Sequence, residues 1–148
     1  MPDTRIGRQF REDLKFYILS WNEGIEVLEE KPVGWRFVGT PRKLDLILKH
    51  ENKYLGIEAK YQGGGGTVDQ KLIYTLDDAK SSPIPVLVVF SGEVTRDIKA
   101  KLITSGIGLE VEYDPSRPRR EERIRDPYQL FRQRVYIELG LDWFKLFR

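Results

Sequence analysis

Leu44-Asp45-Leu46-Ile47-Leu48 and Tyr54-Leu55-Gly56-Ile57-Glu58-Ala59-Lys60 are two apolar runs separated by a short polar link containing Glu51-Asn52. Their reading decides the fold. Both runs suit strands, and asparagine tolerates the positive φ of a tight hairpin turn. Side chains alternate along a strand, so Glu58 and Lys60 share one face while Leu55, Ile57 and Ala59 take the other. On the preceding strand, Leu44, Leu46 and Leu48 are expected on the core, with Asp45 on the opposite face. If His50 and Lys53 flank a two-residue turn, the register carried down the hairpin sets Asp45 directly opposite Glu58. Facing like charges destabilise a sheet, and a divalent cation is an economical way to neutralise them. Lys60 can point at the same spot, where it would orient or deprotonate a water and stabilise a crowded phosphate.

Outward from this hairpin, Ile6, Phe10, Leu14, Tyr17 and Trp21 form one apolar stripe, which predicts a helix over Ile6–Asn22 ended by Gly24. Ile25–Glu30 suits a short strand that Pro32 and Gly34 break before a variable segment, Trp35–Pro41. Gly63–Gly66 is a loop, and Thr67 with Gln70 has the spacing of a capping box that opens a helix running to about Lys80. The valine-rich run Val86–Phe90 reads as a strand buried on both faces. Thr95–Thr104 reads as a helix and Leu109–Tyr113 as a last strand. Arg117–Arg125 is an arginine-rich loop, and Asp126-Pro127 opens a helical region interrupted at Gly140. The order is α-β-β-β-α-β-α-β plus a helical tail, an α/β fold with a mixed central sheet and flanking helices. A single unit over residues 1–148 is expected: core 6–113, basic loop 115–125, helical tail 126–148.

Composition narrows the chemistry. The 148 residues include no cysteine and one histidine, His50, in the expected turn. Thiolate nucleophiles and His/Cys metal cages are therefore excluded, and carboxylates, lysine, hydroxyls and backbone groups remain. No apolar run approaches the roughly 20 residues of a membrane span, and the N-terminus lacks the pattern of a secretory signal. A soluble, cytoplasmic protein with no membrane partner is expected. Net charge is only +2, yet residues 115–148 hold nine Lys/Arg against five Asp/Glu. A near-neutral body with a basic tail suits a protein that needs negative charge in its site and positive charge around it.

Pro41, Asp45 and Glu58-Ala59-Lys60 together resemble the PD-(D/E)XK signature of the restriction-endonuclease-like nucleases, with the proline four residues before the aspartate. The superfamily's αβββαβ core is similar in order to residues 6–90. The resemblance implies a metal-dependent nuclease of restriction-endonuclease or junction-resolvase type, an endodeoxyribonuclease hydrolysing DNA phosphodiesters with Mg²⁺ or Mn²⁺. It implies that Asp45 and Glu58 bind the metal, with the Ala59 carbonyl as a third protein ligand, and that Lys60 assists catalysis. A further acid from the first helix, Glu12 or Asp13, would join them, and Glu12 is preferred because family members usually carry Glu. Gln62, two residues past the lysine, resembles a recurring glutamine of such enzymes.

For DNA contact the sequence offers Gln62 and the arginines Arg117, Arg119 and Arg120, within the densest positive stretch. The aromatic tail suits core or a homodimer surface. No Gly-Lys-Ser/Thr follows the glycine run, so no nucleotide cofactor is expected. Two readings compete with an active nuclease. One is a solvated strand face in which Asp45 and Glu58 pair with Lys43, Lys53 or Lys60. The other is a catalytically silent nucleic-acid-binding or assembly module on the same scaffold.

Overall fold

The apolar stripe of the first segment folds as α1 (Thr4–Leu19), burying Phe10, Leu14, Tyr17, Ile18 and, just past its end, Trp21. Each such side chain contributes about 1.5–3 kcal/mol by leaving water. The chain then leaves the helix through Asn22 (φ 54°) and Gly24 (φ 71°). In a computed structural model, which describes residues 4–36, 39–63, 68–116 and 126–148, a five-stranded sheet follows in the order β1-β2-β3-β4-β5. Its strands are β1 (Glu26–Trp35), β2 (Pro41–His50), β3 (Lys53–Gln62), β4 (Val86–Gly92) and β5 (Gly108–Glu110). β1, β2 and β3 are joined antiparallel, whereas β3, β4 and β5 pair in parallel. The parallel connections run through α2 (Val68–Lys80) and α3 (Arg96–Thr104), as parallel strands require a crossover. The mixed α/β sheet with flanking helices is thus as expected.

Two cores cover the sheet. On one face, α1 and α4 (Asp126–Leu139) bury Leu46, Leu48, Leu55, Ile57, Ala59, Leu87 and Val89. On the other, Leu72, Leu76 and Ala79 of α2 and Leu102 of α3 cover Ile47, Val86, Val88 and Phe90. β4, covered on both faces, is the buried valine-rich strand.

Three expectations need correction. Pro32 and Gly34 do not end β1. Its pairing with β2 continues through Pro32↔Lys43 to Trp35↔Pro41, with a register shift absorbed at Gly34, whose φ is 70°. Proline is tolerated because β1 is an edge strand and its free side needs no N–H donor. Leu44 does not share a face with Leu46 and Leu48, but joins the α2/α3 core. The pleat is interrupted at Asp45: the β1–β2 register passes from Glu29↔Leu46 to Lys31↔Leu44, with Glu30 at φ 54° between them. β5, finally, ends at Glu110. Val111 and Tyr113 remain buried, but the Tyr113 N–H is taken by Ser91 Oγ at 2.9 Å instead of a strand partner.

The interruption at Asp45 turns the first half of β2, with its β1 partner, onto the α2 side. Leu44 comes to lie over Gly56, where an added Cβ would stand 2.6 Å from Leu44 Cδ1 and 3.0 Å from Val86 Cγ2. Glycine at 56 is therefore what lets this arm close down. The arm is clamped by Arg42, fully buried, whose Nε and Nη2 each donate to the Asp78 carboxylate at 3.1 Å while Nη2 also meets Ser81 Oγ at 2.9 Å. That bidentate geometry satisfies both charges and makes the pair strongly directional.

Helix α4 packs on α1 through Tyr128, Phe131, Val135 and Tyr136, so most of the aromatic tail is core. After Gly140 (φ 72°) a 3-10 turn, Trp143–Phe147, leaves Trp143, Phe144 and Phe147 exposed. Among the described residues no helix is long and apolar enough to cross a membrane. The proposed Thr67 cap and the loop Arg117–Arg125 lie outside the described residues.

Candidate active site

Register along the hairpin is the expected one: His50 pairs with Lys53, Leu48 with Leu55 and Leu46 with Ile57. Beyond Leu46↔Ile57 the two strands part. β2 follows β1 onto the arm, and β3 follows β4 through Glu58↔Val88 and Lys60↔Phe90. Asp45 and Glu58 stand at this fork, and their side chains take over the bonding that the ladder gives up. Asp45 Oδ2 accepts the Ala59 N–H at 2.8 Å, and Glu58 Oε1 accepts the Asp45 N–H at 3.2 Å. Each carboxylate thereby commits one oxygen to backbone. Glu58 Oε2 lies 3.6 Å from Lys60 Nζ, and the lysine side chain is 41% exposed against 14% for the glutamate.

This geometry is electrostatically loaded. Burial, and then the nearby Asp45 charge, push the Glu58 carboxyl up to about 7, against the opposing effects of Lys60, the Asp45 N–H and Arg36. Two hard oxygen donors, one held only reluctantly as an anion, with an ammonium beside them, fit a divalent cation such as Mg²⁺ or Mn²⁺. Among the described residues no group of three or more His, Cys, Asp or Glu converges as a metal cage. An ion here would take the Asp45 and Glu58 oxygens and complete its shell with backbone carbonyl, water and phosphate oxygens.

The first-helix acids are placed elsewhere. Asp13 is buried and accepts a bond from Tyr128 Oη at 3.2 Å, joining α1 to α4. Glu12 shares a hydrogen bond with Glu29 of β1, which raises the pKa of Glu12 and lowers that of Glu29. Its neighbours Arg11 and Lys15 pair with Glu30 at 2.8 Å and Glu29 at 3.1 Å. Glu12 therefore meets Arg11 of its own helix at 3.7 Å and Glu29 of β1. Gln62 is buried at the end of β3, and Arg117, Arg119 and Arg120 lie outside the described residues.

Two residues that sequence reasoning passed over flank the carboxylates. Arg11 is largely buried. Burial opposes its charge, but the bond to Glu30 and the Glu30, Asp45 and Glu29 carboxylates outweigh it and hold its pKa above the ordinary value. Arg36 stands 3.9 Å from Asp78 and helps hold the Glu58 charge. Arg11 carried a legible signal, since it sits on the polar side of α1 next to Glu12. Arg36 had none, because its neighbourhood is made by the bend of the arm.

An antiparallel hairpin that forks around paired carboxylates and a lysine, on a mixed sheet between helices, defines a phosphodiesterase-type scaffold of the restriction-endonuclease kind. The chain belongs to the PD-(D/E)XK nuclease superfamily, whose domain model matches residues 8–106, a span that includes Asp45, Glu58 and Lys60. A search of curated proteins by sequence gives no significant match. Among solved structures, the chain is similar to a protein of unknown function, AF1548, at 11% identity and a TM-score of 0.49, covering 88% of this chain and 79% of that one. It is also similar to Pyrococcus furiosus SfsA, solved in complex with Ca²⁺, at 15% identity and a TM-score of 0.41, covering 76% and 59%.

Proposed function

We propose that the protein is a divalent-metal-dependent nuclease that hydrolyses DNA phosphodiester bonds at the Asp45–Glu58 fork. The observation that carries this reading is the carboxylate pair itself, each member anchored by a backbone N–H of the other strand, with Lys60 beside it. Asp45 and Glu58, with the carbonyl of Ala59, would hold Mg²⁺ or Mn²⁺. When bound, such an ion polarises the scissile phosphate and offsets the charge that develops on it. Lys60 orients the attacking water and meets the developing negative charge with its ammonium group. The Ala59 and Asp45 N–H groups hold the carboxylates in fixed rotamers, so little rearrangement accompanies the reaction. Glu12 is not needed for this scheme and acts on β1 through Glu29. Gln62, Arg117, Arg119 and Arg120 remain candidates for DNA contact, and a homodimer would let two sites address two strands.

Incubation with plasmid, single-stranded and four-way-junction DNA in Mg²⁺ or Mn²⁺ tests the proposal. Cleavage is expected from the native chain. Asp45→Ala and Lys60→Ala should each reduce it by at least about 100-fold. Undiminished cleavage by either variant overturns the mechanism. Binding without cleavage in any metal favours the silent module on the same scaffold.

A further inference from the structure

We propose that the distal half of the β1–β2 hairpin is a substrate arm on which Trp35 stacks an unpaired base, while Arg36 and Lys43 meet neighbouring phosphates. This deepens the nuclease reading and rests on it, since it names the substrate class as a strand with unpaired bases.

Charge is the first observation. Residues 31–43 carry Lys31, Arg36, Arg42 and Lys43 and no acid, in a chain with 23 Asp/Glu. Arg42 is consumed by Asp78 in the buried clamp and the half-exposed Arg36 reaches the same carboxylate at 3.9 Å, which leaves Lys31 and Lys43 exposed. Such a surface is complementary to a polyanion.

Geometry is the second. The register shift at Gly34 sets Trp35 opposite Pro41, and Pro32 stands opposite Lys43. Paired residues share a face, so Trp35 and Lys43 lie on the face of the arm opposite Arg42 and Leu44, which are buried. Trp35 is 69% exposed, more than any other large apolar side chain among the described residues. Burying that ring would be favourable, and here it is left in water on the face that carries Lys43. An exposed indole next to basic side chains is what a base-stacking platform requires, and only an unpaired base has a free face to offer it.

Position is the third. The β2 strand of the arm runs directly into Asp45, whose N–H is bonded to Glu58, so the arm stands beside the fork. The Arg42–Asp78 clamp fixes the arm against α2, so the platform is held in place before any ligand arrives.

The experiment measures fluorescence anisotropy of one labelled oligonucleotide, single-stranded and as its duplex, with the full chain in chelator at fixed low salt. Native chain is expected to prefer the single strand. Trp35→Ala should weaken single-strand binding about 5- to 100-fold and leave duplex binding within about twofold. Trp35→Phe should restore most of the loss, and Arg36→Gln should weaken both forms. Circular dichroism of each variant is expected to match that of the native chain. Equal affinity of the native chain and Trp35→Ala overturns the inference, as does an equal loss for both nucleic acids. A change in sedimentation without a change in affinity also overturns it and makes the arm a protein contact. If the native chain neither binds nor cuts any nucleic acid, the nuclease reading itself fails. If it cuts while Trp35→Ala is silent, only the arm proposal does.

Discussion

The two halves of β2, Pro-Arg-Lys-Leu-Asp over 41–45 and Leu-Ile-Leu-Lys-His over 46–50, lie on one continuous strand and have opposite fates. Leu46–His50 is laddered to β3, buries Leu46 and Leu48 on one face and Ile47 on the other, and carries no chemistry. Pro41–Asp45 leaves β3, crosses to the α2 side and ends at the carboxylate pair. The difference teaches where a sheet can hold a reactive group. Inside a ladder every N–H and C=O is committed to the neighbouring strand. At the fork, Asp45 and Glu58 supply those acceptors with side chains, so two carboxylates are fixed in place by the same backbone groups that a ladder would otherwise consume.

The comparison can be broken at the clamp, where the largest stability effect is expected. Asp78→Ala leaves the buried Arg42 guanidinium without its counter-charge and should cost about 3–5 kcal/mol in urea unfolding, while freeing the arm from α2. A loss below about 1 kcal/mol would mean that the arm is held by apolar contact alone.

The fork itself should show in the pH dependence of stability. Glu58 is raised to about 7 from an ordinary 4.5, so the folded chain binds a proton more tightly than the unfolded chain. Its contribution is then fully present below pH 4.5 and is lost as pH rises through 7. The loss should approach about 3 kcal/mol in the absence of divalent ions. In Asp45→Asn the like charge is gone, and the decline should shrink and shift to lower pH. A metal-free stability that is flat between pH 5 and 8 would contradict the buried, opposed pair.

Gly56 gives the smallest effect and sharpens the account of the bend. Gly56→Ala forces the flexible end of Leu44 aside and presses on Val86, for an expected loss of about 1–3 kcal/mol. Pairing it with Leu44→Ala should recover part of that loss in a double-mutant cycle.

Much of this was legible in the sequence for a definite reason. The α1 stripe, the place of the turn at Glu51-Asn52 and the approach of Asp45 to Glu58 follow from local periodicity and a short hairpin. The positive φ nevertheless falls on Glu51, and the ladder ends at Leu46↔Ile57, one step before the two carboxylates. The departure of Leu44 from the face of Leu46 was not legible, because alternation assumes an unbroken pleat and the break at Asp45 depends on α2. The continuation of β1 through Pro32 and Gly34 was hidden for a related reason. Edge position, which excuses the proline, is a property of the assembled sheet. Arg42–Asp78 and the approach of Arg36 to Glu58 join segments brought together only by the bend, and the residues alone carry no sign of them. Asp13 illustrates the converse, an acid on the right helix that the arrival of α4 turns into a partner for Tyr128.

The central claim is that Asp45 and Glu58 together hold one divalent ion. Calorimetric titration of the chain with Mn²⁺ at pH 6 and pH 8, for the native protein, Asp45→Asn and Glu58→Gln, tests it most directly. One site per chain is expected, tighter at pH 8 because the proton of Glu58 must leave, and lost in both variants. Equal Mn²⁺ binding by the native chain and the two variants would contradict it.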